Sequence, residues 1–279
     1  MHKKKIHISS IVSKIILLLL ACMFLYPFLW MFMTSLKDSA EALANPAALW
    51  PANGLHWENY VDVWNRLGFF QYFTNTLLAT LGTVAAIIVI YTMAGFAFAK
   101  LKFKGSKALF VFFLSMMFVP GVTVTIPLYI LVNSLGLVNT YLGLILPGIN
   151  GAGPFAILLF TNYFKGISTE LLESGIIDGA GYFRIYVQLF LPLAVPAIAT
   201  IGIMNFLGTW NSFMWPMLVL TDKAKHTLPL ALRALGNSAF VQWNTLMTGA
   251  IYNIIPLLIA FLFMQKYYIE GVTSGAIKM

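Results

Sequence analysis

Ser168, Glu170 and Glu173 have the types and spacing of a helix start: the serine caps it, and the two carboxylates lie in its early turns against the positive end of the helix dipole. Leu171, Leu172, Gly175 and Ile176 then give an apolar edge, and Gly179 a stop. A second short helix is expected from near Gly181 until Pro192 ends it. Two short, mostly apolar helices at nearly a right angle make sense if a partner covers them, because an exposed surface of that kind is otherwise a liability.

Other chemistries find little support. The chain contains no Gly-Lys dipeptide and therefore no phosphate-binding loop of the Gly-x-x-x-x-Gly-Lys-Ser/Thr type. His2, His7, His56 and His226 are scattered without helical ligand spacing, so no metal site is expected. Cys22 is the only cysteine, which excludes an internal disulfide framework. No nucleophile stands beside a base, and the chain is not expected to be an enzyme. What the apolar stretches do carry is neutral polarity, at Asn75, Thr76, Asn150, Asn162, Asn205, Thr209, Trp210, Asn211, Ser212, Tyr252 and Asn253. Amides and aromatic faces suit a neutral polyhydroxylated solute, and they suit bonds between helices in a bilayer equally. Asn205, Thr209 and Ser212, spaced by four and three, share one helical face. With Trp210, Asn211 and Asn253 they are the candidates for a solute path.

The elements that must position these residues are membrane spans. Of the residues, 60% are hydrophobic and 9% charged, with a mean hydropathy of +0.85, where a soluble domain carries about a quarter charged residues. Six spans are expected, near 12–33, 72–98, 108–131, 141–163, 194–219 and 245–265, with a loop at 164–193 between the fourth and fifth. None has a charged residue near its centre, which weighs against an ion- or proton-driven carrier. Pro120, Pro127, Pro147, Pro154, Pro192, Pro216 and Pro256, within spans or near their ends, suggest kinks. Lys3 to Lys5, Leu17 to Leu20, Ala21 and Cys22 look like a signal peptide, but the apolar run continues to Met33, and the stretch is read as an uncleaved span.

The formal net charge of +8 is an orientation signal rather than a nucleic-acid footprint. With a cytoplasmic N-terminus, twelve of the 17 basic residues fall inside and five outside. That bias puts both termini in the cytoplasm. The outside five, Lys37, Arg66, Lys223, Lys225 and Arg233, are matched by Asp38, Glu41, Glu58, Asp62 and Asp222. Between the first two spans, Trp57, Tyr60, Val61, Trp64 and Leu67 recur at the period of a short amphipathic helix. No linker or compositional break interrupts the chain, so residues 1–279 are read as one transmembrane domain.

Glu173, Ser174 and Gly175, then Ile177, Asp178, Gly179 and Ala180, and later Leu191, Pro192, Leu193 and Pro196 resemble the cytoplasmic signature of ABC importer permeases of the maltose-type, carbohydrate-uptake branch. The resemblance covers nearly the whole chain. Supporting stretches are Thr34 to Lys37, Phe103 to Gly105, Trp210 to Phe213, Thr227 to Pro229, and Gly271, Gly275, Ala276 and Lys278. Ser174 and Gly175 stand where the family usually has two alanines, and Ser168 replaces a common proline.

The resemblance implies an all-α membrane protein with the type I ABC importer permease fold, in a bacterial cell (inner) membrane. It implies that the helix around Glu173 couples to two separate ATPase subunits, which bind the ATP and Mg while this chain binds no cofactor. The coupling residues would be Glu170, Glu173, Ser174, Gly175, Asp178, Gly179, Ala180 and Pro192. A second homologous permease subunit and an extracytoplasmic solute-binding protein complete the assembly, and a sugar or oligosaccharide is the solute. An ion-gradient-driven carrier, a permease for a non-sugar solute and a non-transporting scaffold are the alternatives.

Overall fold

The structure is a computed structural model that describes residues 8–66, 68–236 and 242–276. His2, Lys3 to Lys5, His7, Leu67 and Lys278 lie outside the described residues. Among those described there is no strand. In chain order the helices are α1 (Ile8–Ser35), α2 (Ser39–Ala44), α3 (Glu58–Arg66), α4 (Phe69–Lys100), α5 (Ser106–Ser115), α6 (Thr125–Ser134) and α7 (Leu142–Lys165). They continue as α8 (Glu170–Ile177), α9 (Tyr182–Ile185), α10 (Leu191–Leu193), α11 (Val195–Trp210), α12 (Met214–Val219), α13 (Leu228–Gly236) and α14 (Trp243–Ala276).

Among the described residues four helical segments are long and apolar enough to cross a membrane: Val12–Ser35, Phe69–Lys100, Leu142–Lys165 and Trp243–Phe263. Two further segments reach that length only as bent pairs, Ser106–Phe118 with Gly121–Ser134, bent by 96°, and Tyr182–Leu193 with Val195–Trp210, bent by 76°. The expected third span, 108–131 with kinks at its prolines, is thus two helical pieces that meet at a sharp bend beside Pro120. Val119 and Pro120, both extended, separate them, because proline disfavours helix in the residue before it and offers no N–H to continue one. The expected fifth span is interrupted at 211–213, between α11 and α12. Pro192 does not end the second loop helix, which runs on to Leu193. A wide π-turn at Tyr186–Phe190 comes just before Leu191 and Pro192, where the proline ring would crowd an ordinary α-turn. The bend falls at Ala194, between Pro192 and Pro196. Pro147 and Pro154 stay inside an unbroken α7.

The chain divides into two compact units, residues 1–70 with 232–255, and residues 71–231 with 256–279. In the first, Leu17, Leu18 and Leu19 of α1 are each 65% exposed, an apolar surface that needs lipid or another chain around it. The end of α1 meets the start of α14: Thr248 donates to the Ser35 carbonyl and Asn244 accepts from Ser39. The segment after α1 is organised by buried charge. Lys37, fully buried, donates to the Asn45 and Ala48 carbonyls at 3.0 and 2.6 Å, and Glu41 accepts from the Ala52 and Asn53 N–H groups at 2.7 and 3.1 Å. Asp38 caps α2, and the Glu41 N–H it accepts, followed by the Asn53 amide, holds its carboxyl below the usual carboxylate range.

In the second unit α4 and α7 lie side by side and run in the same direction. Gly82 faces Ile145, Thr83 faces Gly148, Tyr91 faces Gly153, and Gly95 faces Phe160 so closely that a Cβ there would fall 2.5 Å from the Phe160 Cβ. Small residues at such a crossing let backbones approach where lipid supplies no hydrophobic drive. The path from α11 to α12 runs opposite to α7: Tyr163 donates to the Leu193 carbonyl near one end, and Trp215 Nε1 to the Gly143 carbonyl near the other. The α5–α6 pair begins beside Lys165, whose ammonium lies 5.4 Å from the Phe110 ring centroid, and finishes near Gly143, which packs on Leu137.

Candidate functional site: the helix at Glu170 to Ile177 and a neutral cavity

Helix α8 starts one residue after the expected cap: Thr169 precedes its first turn without a side-chain cap, and the Ser168 hydroxyl accepts the Glu170 N–H at 3.1 Å. It ends in a Schellman motif. The Gly179 N–H bonds to the Ile176 carbonyl and the Ala180 N–H to the Gly175 carbonyl, both at 3.0 Å. Gly179 has φ +78°, the left-handed conformation that costs other residues roughly 1–2 kcal/mol.

The two faces of α8 have opposite fates. Leu172 and Gly175 are buried, while Glu170, Glu173, Ser174, Ile176, Ile177 and Asp178 are exposed. Ile177 is 84% exposed, and Tyr182 and Phe183 of α9 are exposed beyond half. Leu172, Ile185, Tyr186 and Phe190 belong to one core with Ile87, Tyr91 and Phe96 of α4 and Phe160 and Phe164 of α7. Polar ties reinforce it: the Tyr186 hydroxyl lies 2.7 Å from the Thr92 hydroxyl, and Lys100 donates to the Ile167 carbonyl at 2.6 Å. The loop is therefore fastened to the ends of α4 and α7 by one face and presents acidic and apolar groups on the other. Ala180 is half-buried against that core, and Pro192 is exposed.

Asn205, Thr209 and Ser212 come together as their spacing predicts, lining a cavity of about 330 Å³ in the second unit with Thr76, Thr80 and Thr227. No charged side chain is among its lining residues. The hydroxyls of Thr80 and Thr227, residues 0% and 4% exposed, have no hydrogen-bond partner. Such groups inside a low-dielectric wall cost free energy until something bonds to them. The other three candidates lie elsewhere. Trp210 is fully buried, stacked on Phe206 and edge-on to Phe73. Asn211 is exposed and donates back to the Leu207 carbonyl. Asn253, half-buried on α14, belongs to the first unit.

Thr80 and Thr227 were not among the expected path residues. A signal existed for the first, since Thr76, Thr80 and Thr83 fall at i, i+4 and i+7 on α4. Thr227 was marked only as part of the family stretch Thr227 to Pro229, and it reaches the cavity because residues 224–228 are tied to the start of α4. Asn75 donates to the Ala224 and His226 carbonyls and accepts from Tyr141, and Thr76 accepts the Leu228 N–H.

Residues 91–274, which include the loop and most of the cavity wall, match the model of the binding-protein-dependent transport system inner membrane component. The chain belongs to that family. Among curated relatives of this permease, the probable ABC transporter permease protein YurM of Bacillus subtilis is 36% identical over 91% of this chain and 83% of its own. The arabinooligosaccharides transport system permease protein AraQ of Bacillus subtilis is 33% identical over 99% of both. The fold is that of a chain in the crystal structure of a bacterial ABC transporter involved in the import of the acidic polysaccharide alginate, with a TM-score of 0.81, 24% identity and coverage of 96% of this permease and 99% of that chain. The ABC importer permease resemblance of the loop residues thus holds at the level of family and fold.

Proposed function

We propose that this permease carries a neutral sugar or oligosaccharide into the cytoplasm by alternating access, powered by two separate ATPase subunits that bind ATP and Mg and engage α8. The observation that carries the reading is the two-faced loop: one face is fastened into the core of α4 and α7, and the other exposes Glu170, Glu173, Ile176 and Ile177. A solute-binding protein, which the family name requires, delivers the solute outside, and a second permease subunit completes the path. The neutral cavity and the arabinooligosaccharide relative support a carbohydrate.

The topology follows from helix direction. If α4 and α7 both cross the bilayer in the same sense, the chain between them must cross back, so the bent α5–α6 pair is one crossing. The stretch from α11 to α12, opposite to α7, is another. With α1 and α14 this makes six spans. In the second unit Lys100, Lys102, Lys104, Lys107, Lys165 and Arg184 gather at the α8 end, against Lys223 and Lys225 with Asp222 at the other, a bias that supports a cytoplasmic α8 and, over six spans, cytoplasmic termini.

In the transporter purified with its native partners, ATPase activity should rise when the binding protein is loaded with neutral oligosaccharide. Gly179→Val should reduce that stimulation by about tenfold through strain at the turn, while Gly179→Asn, tolerated in the left-handed region, keeps most of it. Equal amounts of each variant in the membrane with equal stimulation would overturn the coupling role.

A further inference from the structure

At the α8 end of the second unit, α4, the turn at 101–105, α5 and α7 line a wide, open groove of about 1300 Å³, separate from the exposed face of α8. Its walls are apolar and largely aromatic, with Phe98, Leu101, Phe103 and Phe110 among them. Lys102, Lys104, Lys107 and Lys165, all exposed, are among its lining residues, and no carboxylate is. Among the described residues none of these lysines is in an ion pair.

Three further details point to an anion. Helix α5 opens onto this groove with no side-chain cap and no acidic residue in its first turn, which instead holds Lys107. That is the reverse of the arrangement the helix dipole favours. The preceding residue, Gly105, takes φ +83°, leaving the helix end without a side chain over it. Thr161, fully buried on α7, contributes to the lining, and its hydroxyl has no hydrogen-bond partner. Four like charges and a positive helix end beside an apolar, aromatic wall call for a ligand that is anionic at one end and hydrocarbon at the other.

We propose that this groove holds an anionic glycerophospholipid, its phosphate among Lys102, Lys104, Lys107 and the start of α5, and its upper acyl chain along Phe98 and Phe110. A soluble phosphate would satisfy the lysines and leave the aromatic wall uncovered; a phospholipid does both. Placing it in the inner leaflet rests on the orientation proposed above, but the site itself does not.

The test is lipid retention, which is independent of orientation and of transport. The full chain is reconstituted into nanodiscs of equal phosphatidylglycerol and phosphatidylcholine, released, and its retained lipids counted by native mass spectrometry. The wild type should retain phosphatidylglycerol selectively. Lys102→Gln/Lys104→Gln/Lys107→Gln should lower that selectivity by about tenfold, the corresponding triple arginine variant should keep it, and Lys223→Gln at the opposite end should leave it unchanged. Equal retention in the glutamine variant, or an equal loss in Lys223→Gln, would overturn the site. Displacement of phosphatidylglycerol by added inorganic phosphate would overturn the lipid in favour of a soluble anion.

Discussion

Gly175 sits inside α8, where glycine costs about 1 kcal/mol relative to alanine, and its surroundings explain why it is tolerated. A Cβ there would lie 2.9 Å from Ile185 Cγ1 and 3.0 Å from its Cδ1, and Ile185 is 1% exposed and cannot swing aside. Overpacking of that kind costs about 1–3 kcal/mol, at least as much as the helix gains. Gly175→Ala should therefore lower the melting temperature of the detergent-solubilised protein, although alanine is the better helix former. In an Ile185→Ala background, which empties the space, the same substitution should become stabilising. Thermal unfolding of the four variants checks this; additive effects would show that the two residues do not meet. The sequence marks Gly175 as a weak point in the helix, because propensity is a local quantity and the approach of Ile185 is not.

Among the elements, the segment joining α1 to α3 depends most on single side chains. Charge matching along the sequence pairs Lys37 with the acidic residues near it, yet the structure sends its ammonium to two carbonyls and the Glu41 carboxylate to two amides. A cation on carbonyls and an anion on N–H groups satisfy backbone that neither helix nor strand would pair. Lys37→Met should leave the Ala48 carbonyl without its donor and the Asn45 carbonyl with only the 3.3 Å bond from the Ala48 N–H, at about 1–3 kcal/mol in all. Protease cleavage between residues 43 and 55 should accelerate by at least about tenfold. The helix bounds of α1, α4 and α7 and the start of α14 were legible because an apolar run is a local signal; α14 runs on to Ala276, past the apolar run that marked its expected end at 265. The breaks at Pro120 and Ala194 were legible only as kinks, since prolines break the helix at those two places while Pro147 and Pro154 leave α7 intact.

For the molecule as a whole, the consequential feature is that residues far apart in the chain meet around one neutral cavity. Thr80 comes from α4, Asn205 and Thr209 from α11, and Thr227 from the turn before α13. If the cavity serves a polyhydroxylated solute, its unpaired hydroxyls are a cost the resting fold bears for the ligand. Thr80→Val and Thr227→Val should then leave the melting temperature unchanged or raise it, because each removes an unsatisfied buried hydroxyl. Each should also weaken solute-stimulated ATPase activity, raising the half-saturating concentration of loaded binding protein or solute about fivefold, the worth of one hydrogen bond near 1 kcal/mol. A loss of stability with unchanged half-saturation would mark the hydroxyls as packing groups instead.

The sequence by itself determined the solvent, the number of apolar runs, the charge bias, the start and glycine stop of α8, and the face shared by Asn205, Thr209 and Ser212. All of these are local patterns, set by hydropathy, helical period or one residue's allowed φ. Only the tertiary structure decided that α4 and α7 run in the same direction, that Gly175 makes room for Ile185, that Trp210 is buried while Thr227 reaches the cavity, and that the lysines near 104 line an apolar groove. Those depend on which distant segments approach, a choice made by packing across helices and invisible to any window along the chain.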